Sequence, residues 1–290
     1  MKYAITGITG KVGSAVAHNL LAAGNVVRAV VRDASKGTAW AQRGCDVAVA
    51  SIEDANGLTK AFTGVDGVFL MIPPDYDPEP GFPRIHEAVD VVRAAVTAAR
   101  PRKLVFLSTV GAQVTQFSLL NNCRIVEEGL RTLPVPVALL RAAWFMENAA
   151  WDVEAAQSGV VPSFLQPLDH PIPMVATADI GLTAATILRE TWVGTRVVEL
   201  EGPNRYSAND LAAGFATALG RAVRMDPVPR DTWEALFRSQ GTKYPAARIR
   251  MLDGFNEGWI DFEGGAAEAG KGRTPLQTVL NELAAHRGLA

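Results

Sequence analysis

Hydrophobic and polar positions along this chain follow two periods in turn. Apolar runs at residues 1–5, 26–31, 45–50, 65–72, 103–109 and 137–140 are short and nearly continuous, as buried strands are. Between them, apolar residues recur three and four apart. Val12, Val16 and Leu20 mark a helix that stops at Gly24, and Ile85, Ala88, Val89, Val92, Ala95, Val96 and Ala99 mark a longer one over 83–100. Shorter helices are predicted over 53–62, where Ser51 with Asp54 three residues on reads as the cap, and over 123–132. Strand and helix patterns alternating in this order predict an α/β fold, a doubly wound parallel sheet with helices on both faces.

The turn between the first strand and the first helix carries the first chemistry. It reads Thr6-Gly-Ile-Thr-Gly-Lys-Val-Gly13. Gly7 permits the tight turn, Gly10 lets the backbone approach a phosphate, and Gly13 lets the helix pack closely on the sheet, so free amides at the helix start face an anion. In this context the pattern predicts a Rossmann-type dinucleotide site, with Gly7, Thr9, Gly10, Lys11, Val12 and Gly13 around the pyrophosphate. At the end of the second strand an acidic residue would bond a ribose 2′-OH, whereas an arginine would accommodate a 2′-phosphate. The chain has both in Val31-Arg-Asp33, with Lys36 close behind. Arg32 and Lys36 together favour NADP(H) over NAD(H). The competing readings give Asp33 the ribose of NAD, or make it only the cap of a helix starting near Ala34.

Charge and composition narrow the partners. The 290 residues include 28 Lys and Arg against 30 Asp and Glu, a net charge of −2 that offers no basic field for nucleic acid or an anionic membrane. No apolar run is long enough to span a bilayer, and the first residues enter a strand rather than a leader, so a cytoplasmic protein is expected. Cys45 and Cys123 do not make a disulfide framework, and the four histidines form no Cys/His cluster that would support a metal site. The expected partner is a small-molecule substrate, and the expected state a monomer or homodimer.

Residues 73–81, Pro-Pro-Asp-Tyr-Asp-Pro-Glu-Pro-Gly, follow the fourth strand. Ligands of open parallel sheets lie at that carboxyl edge, so Ile72 and Pro73 are expected beside the nicotinamide and Tyr76 near the entrance. The same segment also reads as a stiff surface connection.

The order of these motifs resembles the NmrA-like group of atypical short-chain dehydrogenases. The resemblance rests on Thr6 to Gly13, on Val30-Val-Arg-Asp33, on Gly64-Val-Asp-Gly-Val-Phe-Leu70, on Lys103-Leu-Val-Phe-Leu-Ser-Thr109 and on Leu139-Leu-Arg-Ala-Ala-Trp-Phe-Met-Glu-Asn148. The last is the most specific, an arginine and a small-residue turn followed by aromatics and Met-Glu-Asn. The resemblance implies an NADP(H)-binding fold whose members include quinone, azo-dye and triphenylmethane-dye reductases, reductases of plant phenolics, and redox-sensing regulators without evident catalysis.

One departure narrows the chemistry. Ordinary short-chain dehydrogenases place a tyrosine, and a lysine four residues later, on the helix after the fifth strand, where the phenol protonates the alkoxide formed by hydride transfer. Here the region reads Phe117-Ser-Leu-Leu-Asn-Asn-Cys-Arg-Ile-Val-Glu-Glu128, with neither. A carbonyl reductase using that acid is not expected. Cys123, nearest in spacing to the lysine of many family members, reads as packing rather than as a nucleophile.

Hydride addition to a quinone, an azo bond or a stabilised carbocation leaves charge that is delocalised or absent. Positioning is then most of the catalysis, and no tuned acid is expected. Residues placed to press a flat acceptor against the nicotinamide are Ile72 and Pro73, then Ser108 and Thr109, then Trp144, Phe145 and Asn148. Trp144 and Phe145 read equally as packing between lobes.

Beyond residue 150 the patterns weaken. Residues 1–150 read as the nucleotide-binding core and 151–290 as a smaller, interleaved substrate lobe, with 196–201 returning a strand to the main sheet. Residues 159–173 read as a loop or short-strand segment, Asp179 as a helix cap, Ser207 with Asp210 as a capping box, and 264–273 as mobile. Trp233, Leu236 and Phe237, and the aromatics of 251–261, can wall a substrate pocket or pack a small lobe. The function expected is an NAD(P)H-dependent oxidoreductase acting on a quinone-like or other flat conjugated acceptor. The alternatives are a non-catalytic, NADP(H)-sensing regulator with a protein partner, and a reductase of an imine or enone intermediate.

Overall fold

The computed structural model describes residues 1–287. Its first half alternates as the pattern predicts: β1 (Lys2–Ile5), α1 (Lys11–Ala22), β2 (Val26–Val31), α2 (Thr38–Ala41), β3 (Asp46–Val49), α3 (Ala55–Phe62), β4 (Gly67–Leu70), α4 (Pro83–Ala99), β5 (Leu104–Thr109), α5 (Asn121–Leu130) and β6 (Val137–Ala142). These strands pair in parallel in the order β3-β2-β1-β4-β5-β6. The order reverses between β1 and β4, at the crevice where an open sheet takes its ligand. Thr6 ties that crevice together, its hydroxyl donating to the Phe69 carbonyl at 3.2 Å and accepting from the Met71 amide at 2.8 Å.

The strands are apolar throughout because both faces are covered. Ile5, Val27, Phe69, Val105 and Leu140 enter one hydrophobic cluster, while their neighbours Ala4, Val68, Phe106 and Leu139 enter the other. α1 buries Val12, Val16 and Leu20, and the chain leaves it through Gly24 at φ +73°. The cap of α3 differs from expectation. The Asp54 carboxylate accepts from the Gly57 amide at 2.9 Å, while Ser51 lies too early in the chain to reach the helix.

The second half continues with β7 (Trp144–Phe145), α6 (Val153–Ser158), β8 (Val160–Ser163), β9 (Ile172–Val175), α7 (Thr177–Arg189), β10 (Thr195–Glu201), β11 (Arg205–Tyr206), α8 (Ala208–Leu219), β12 (Arg224–Pro227), α9 (Trp233–Ser239), α10 (Ala246–Asn256), α11 (Gly265–Glu268), β13 (Gly270–Lys271) and α12 (Leu276–Arg287). β10 pairs in parallel with β6, and β13 adds the edge beyond it, completing an eight-stranded sheet. α7 lies against α1 so closely that a Cβ at Gly181 would meet the Ala15 Cβ at 2.3 Å. β8 pairs with β12, and β9 lies between β7 and β11. One hydrophobic cluster runs from the α1 face of the main sheet into α8 and α12, through Phe215 and Leu280.

One expectation for this half changes. α7 begins at Thr177, so Asp179 falls inside its first turn and is not the cap; its carboxylate accepts from the amides of Arg273 and Thr274 at 2.9 and 2.8 Å. Within residues 264–273, Gly270 and Lys271 pair with β10. The capping box is present, with Ser207 and Asp210 bonded reciprocally at 2.8 and 3.2 Å. Among the described residues no helix is long and apolar enough to cross a membrane.

Candidate functional site

The start of α1 is built to receive an anion. Gly7, at φ +61°, turns the chain out of β1; no side chain caps the helix at Gly10, and no acidic residue lies in its first turn. The first amides of the helix are left to a ligand or solvent, beside the exposed Thr9, Gly10 and Lys11. The glycines serve different ends. A Cβ at Gly13 would lie 2.2 Å from the Gly7 carbonyl oxygen, so Gly13 lets the helix close on the turn itself rather than on the sheet. A Cβ at Gly10 would meet only that oxygen, at 3.3 Å, so its bareness serves what approaches from outside.

At the end of β2 the structure separates two readings of Asp33. Its carboxylate accepts from the Ser35 amide at 2.9 Å and caps the short helical turn Ala34–Gly37. The bond from Ser35 holds the carboxyl below its ordinary range. Arg32 and Lys36 are exposed, and neither side chain makes a hydrogen bond or ion pair among the described residues.

A cavity of about 610 Å³ opens at the carboxyl ends of β4, β5 and β6, a size suited to a small molecule. Ile72, Pro73 and Thr109 line it from the main sheet, Trp144, Phe145 and Asn148 from the segment after β6, and Tyr76 from the proline-rich loop. Trp144 meets Phe255 of α10 edge-on, with ring centroids 5.2 Å apart, so it packs the seam and walls the cavity at once. Tyr76 is half exposed and meets Trp151 edge-on at 6.5 Å. The loop that carries it is fastened to the segment before α10, because the Asp77 carboxylate accepts from the amides of Lys243 and Tyr244 at 2.8 and 2.6 Å.

Ser108 is the exception among the expected site residues. Phe106, Leu107 and Thr109 line the cavity, whereas Ser108 between them does not. Its buried hydroxyl donates to Glu127 of α5 at 2.6 Å. Glu127 in turn accepts from Arg141 through both carboxylate oxygens, at 2.9 and 2.8 Å, and Arg141 also reaches Glu199 and Glu263 at 3.3 and 2.8 Å. Burial alone would lower the guanidinium pKa, but its carboxylate partners, Glu127 first, reverse the shift and hold it charged. The arginine of the 139–148 motif therefore joins β6, α5 and β10. The glutamate of that motif, Glu147, takes the α7 start, accepting from the Thr177 amide at 2.9 Å and its hydroxyl at 2.5 Å.

Cys123 lines the cavity as a neutral thiol. Burial, reinforced by the charge of Glu127, pushes it up to about 12, which removes it as a nucleophile near neutral pH. Asp152 is a lining residue that the sequence did not single out. Desolvation pushes its carboxyl up to about 6, and it makes no side-chain hydrogen bond or ion pair among the described residues. A carboxyl that the sequence reading did not name is thus present in the cavity wall. Arg248, also in the wall, was equally silent in the sequence. Only its apolar neighbours at helical spacing, Ile249 and Leu252, could have placed it beside a core.

The sequence pattern of the NmrA-like family matches residues 2–261. A (4-alkanoyl-5-oxo-2,5-dihydrofuran-3-yl)methyl phosphate reductase of Streptomyces griseus is 29% identical over 247 residues, covering 83% of this chain and 81% of the relative. Quinone oxidoreductase 2 of Escherichia coli is 26% identical over 270 residues, covering 92% and 88%. The crystal structure of the NADPH-dependent quinone oxidoreductase from Escherichia coli, complexed with NADPH, superposes with a TM-score of 0.79 at 24% identity, covering 98% of this chain and 99% of that one. The match spans the doubly wound sheet through β10, the glycine turn and the 139–148 segment, and the chain belongs to the NmrA-like family.

Proposed function

We propose that the protein is an NADP(H)-dependent oxidoreductase that transfers hydride to a flat conjugated acceptor of the quinone class. The observation that carries this reading is the open cavity at the carboxyl edge of the sheet, aromatic on one side and bordered by Ile72, Pro73 and Thr109 on the other. The uncapped start of α1 suits a pyrophosphate held by the amides of residues 11–13, with the Lys11 side chain beside it. Arg32 and Lys36, whose side chains make no hydrogen bond or ion pair among the described residues, suit a 2′-phosphate. When bound, the dinucleotide supplies the hydride.

The chain's own residues do the rest. Trp144 and Phe145 orient a planar acceptor, and the apolar wall keeps water from the reacting face. Asp152 can hold a proton within the same cavity for a product oxygen that needs one. The names of the two relatives support a conjugated acceptor. The Streptomyces griseus relative supports, as a second reading, reduction of an unsaturated lactone or enone. Incubation with NADPH and a panel of quinones, dyes and unsaturated lactones, followed by loss of dihydronicotinamide absorbance, tests the proposal. Oxidation that depends on an acceptor is the expected result. NADPH binding without oxidation across the panel overturns it and leaves a nucleotide-sensing role.

A further inference from the structure

Arg248 is the one cation among the described residues that line the cavity, and no carboxylate answers it. Its guanidinium lies 4.3 Å from the centroid of the buried Phe237 ring, which belongs to a cluster with Phe164 and Trp233. That contact holds the guanidinium against the aromatic cluster. Other arginines of the same region are neutralised within the protein: Arg230 and Arg250 both pair with Asp253, at 2.5 and 3.0 Å. Arg248 makes no ion pair or hydrogen bond among the described residues, and burial pulls it below its ordinary pKa, opposed only by the nearby Tyr76 phenol. A partly desolvated cation without a counter-charge is unfavourable in the free protein and becomes favourable when a ligand brings the anion.

The cavity's two carboxyls do not take that role: among the described residues neither Asp152 nor Asp75 makes an ion pair or hydrogen bond with Arg248. The facing wall contributes Tyr76 instead, on the loop that Asp77 fastens to the segment just before α10. That bridge brings the Tyr76 phenol within electrostatic reach of the Arg248 guanidinium, both in the cavity wall.

We propose that Arg248, with Tyr76 opposite, is an anion-recognition site, and that the acceptor carries a carboxylate, sulfonate or phosphate group on its flat conjugated frame. The inference rests on the oxidoreductase reading of the same cavity. Arg248 places the acidic group through a bidentate contact, and the apolar walls take the ring.

Equilibrium binding of naphthalene sulfonate and of the neutral naphthalene sulfonamide, read by tryptophan fluorescence, tests the site without turnover. The wild-type protein should prefer the sulfonate by about ten- to a hundredfold, the range for one charge-assisted contact. Arg248→Gln should abolish the preference at a melting temperature no lower than that of the wild type, and Arg248→Lys should restore part of it. In turnover, Arg248→Gln should raise KM for a naphthoquinone sulfonate by a similar factor, with kcat and the kinetics of the unsubstituted naphthoquinone nearly unchanged. Equal wild-type binding of the two probes, or a preference that survives in Arg248→Gln, overturns the site. Quinone turnover without sulfonate preference overturns it while sparing the reductase reading, whereas Arg248-dependent preference without any turnover supports the site and counts against that reading.

Discussion

The Glu147 carboxylate bonds both the amide and the hydroxyl of Thr177, which fastens the start of α7 directly behind the cavity wall formed by Trp144 and Phe145. An anionic acceptor at a helix N-terminus satisfies an orphan amide and complements the helix dipole. Replacing Glu147 by Ala removes both contributions, a loss of about 1–2 kcal/mol. The urea midpoint should fall accordingly with the slope of the transition unchanged, and an unchanged midpoint would show that solvent caps the helix as well.

The glycine turn separates a ligand contact from a packing contact. Gly10→Val should fold, because its backbone is extended at φ −93° and the nearest protein atom leaves room for adjustment, but should lose NADPH binding. Gly13→Val places atoms on the Gly7 carbonyl and should lower the melting temperature as well. Calorimetric titration beside thermal unfolding checks both. Normal nucleotide binding by Gly10→Val would place the phosphate site elsewhere.

Arg32 provides the test of nucleotide choice. Arg32→Ala should weaken NADPH by on the order of ten- to a hundredfold while leaving NADH nearly unchanged, since a charge-assisted contact is worth about 1.5–3 kcal/mol. Equal losses for the two nucleotides would refute the assignment.

Asp152 gives the protein a pH dependence with a definite sign. Its carboxyl is pushed up to about 6 from an ordinary 3.8, so between those values the folded chain holds a proton that the unfolded chain releases. Stability from this group therefore falls as pH rises through that window and is level above it. Asp152→Asn removes the dependence. The variant should be more stable than the wild type near pH 8, by on the order of 2 kcal/mol, and the gap should close near pH 4. Melting temperatures of both proteins at the two pH values decide it, and a gap that does not change with pH would sink the assignment.

Much of the fold was legible because its signals are local. The apolar runs of β4 and β5, the stripe of α4, and the glycines around α1 each declare themselves within a few residues. The candidate site was legible where it follows a strand end, as at Ile72, Pro73 and Thr109. It was illegible where a role depends on what lies opposite. Ser108 was misplaced because its hydroxyl is taken by Glu127 of the following helix. Asp179 was misread because its partners, Arg273 and Thr274, lie far along the chain. Asp152 and Arg248 matter through desolvation, which belongs to the assembled cavity and leaves no mark on sequence spacing.

The pairing of β10 with β6 bears on how members of such a family can be re-engineered. From Thr195 to Leu200 every residue of β10 is in register with β6, and Glu199 answers the buried Arg141. A fragment ending near residue 150 would turn β6 into an open edge, leave Arg141 short of a carboxylate, and strip from α1 the face that α7 covers. Exchanging whole C-terminal halves between relatives would thus disturb the sheet that holds the nucleotide turn. Changes of acceptor range are better sought by substitutions in the loop 73–81 and in α10, whose side chains meet the cavity while their backbones leave the shared sheet intact.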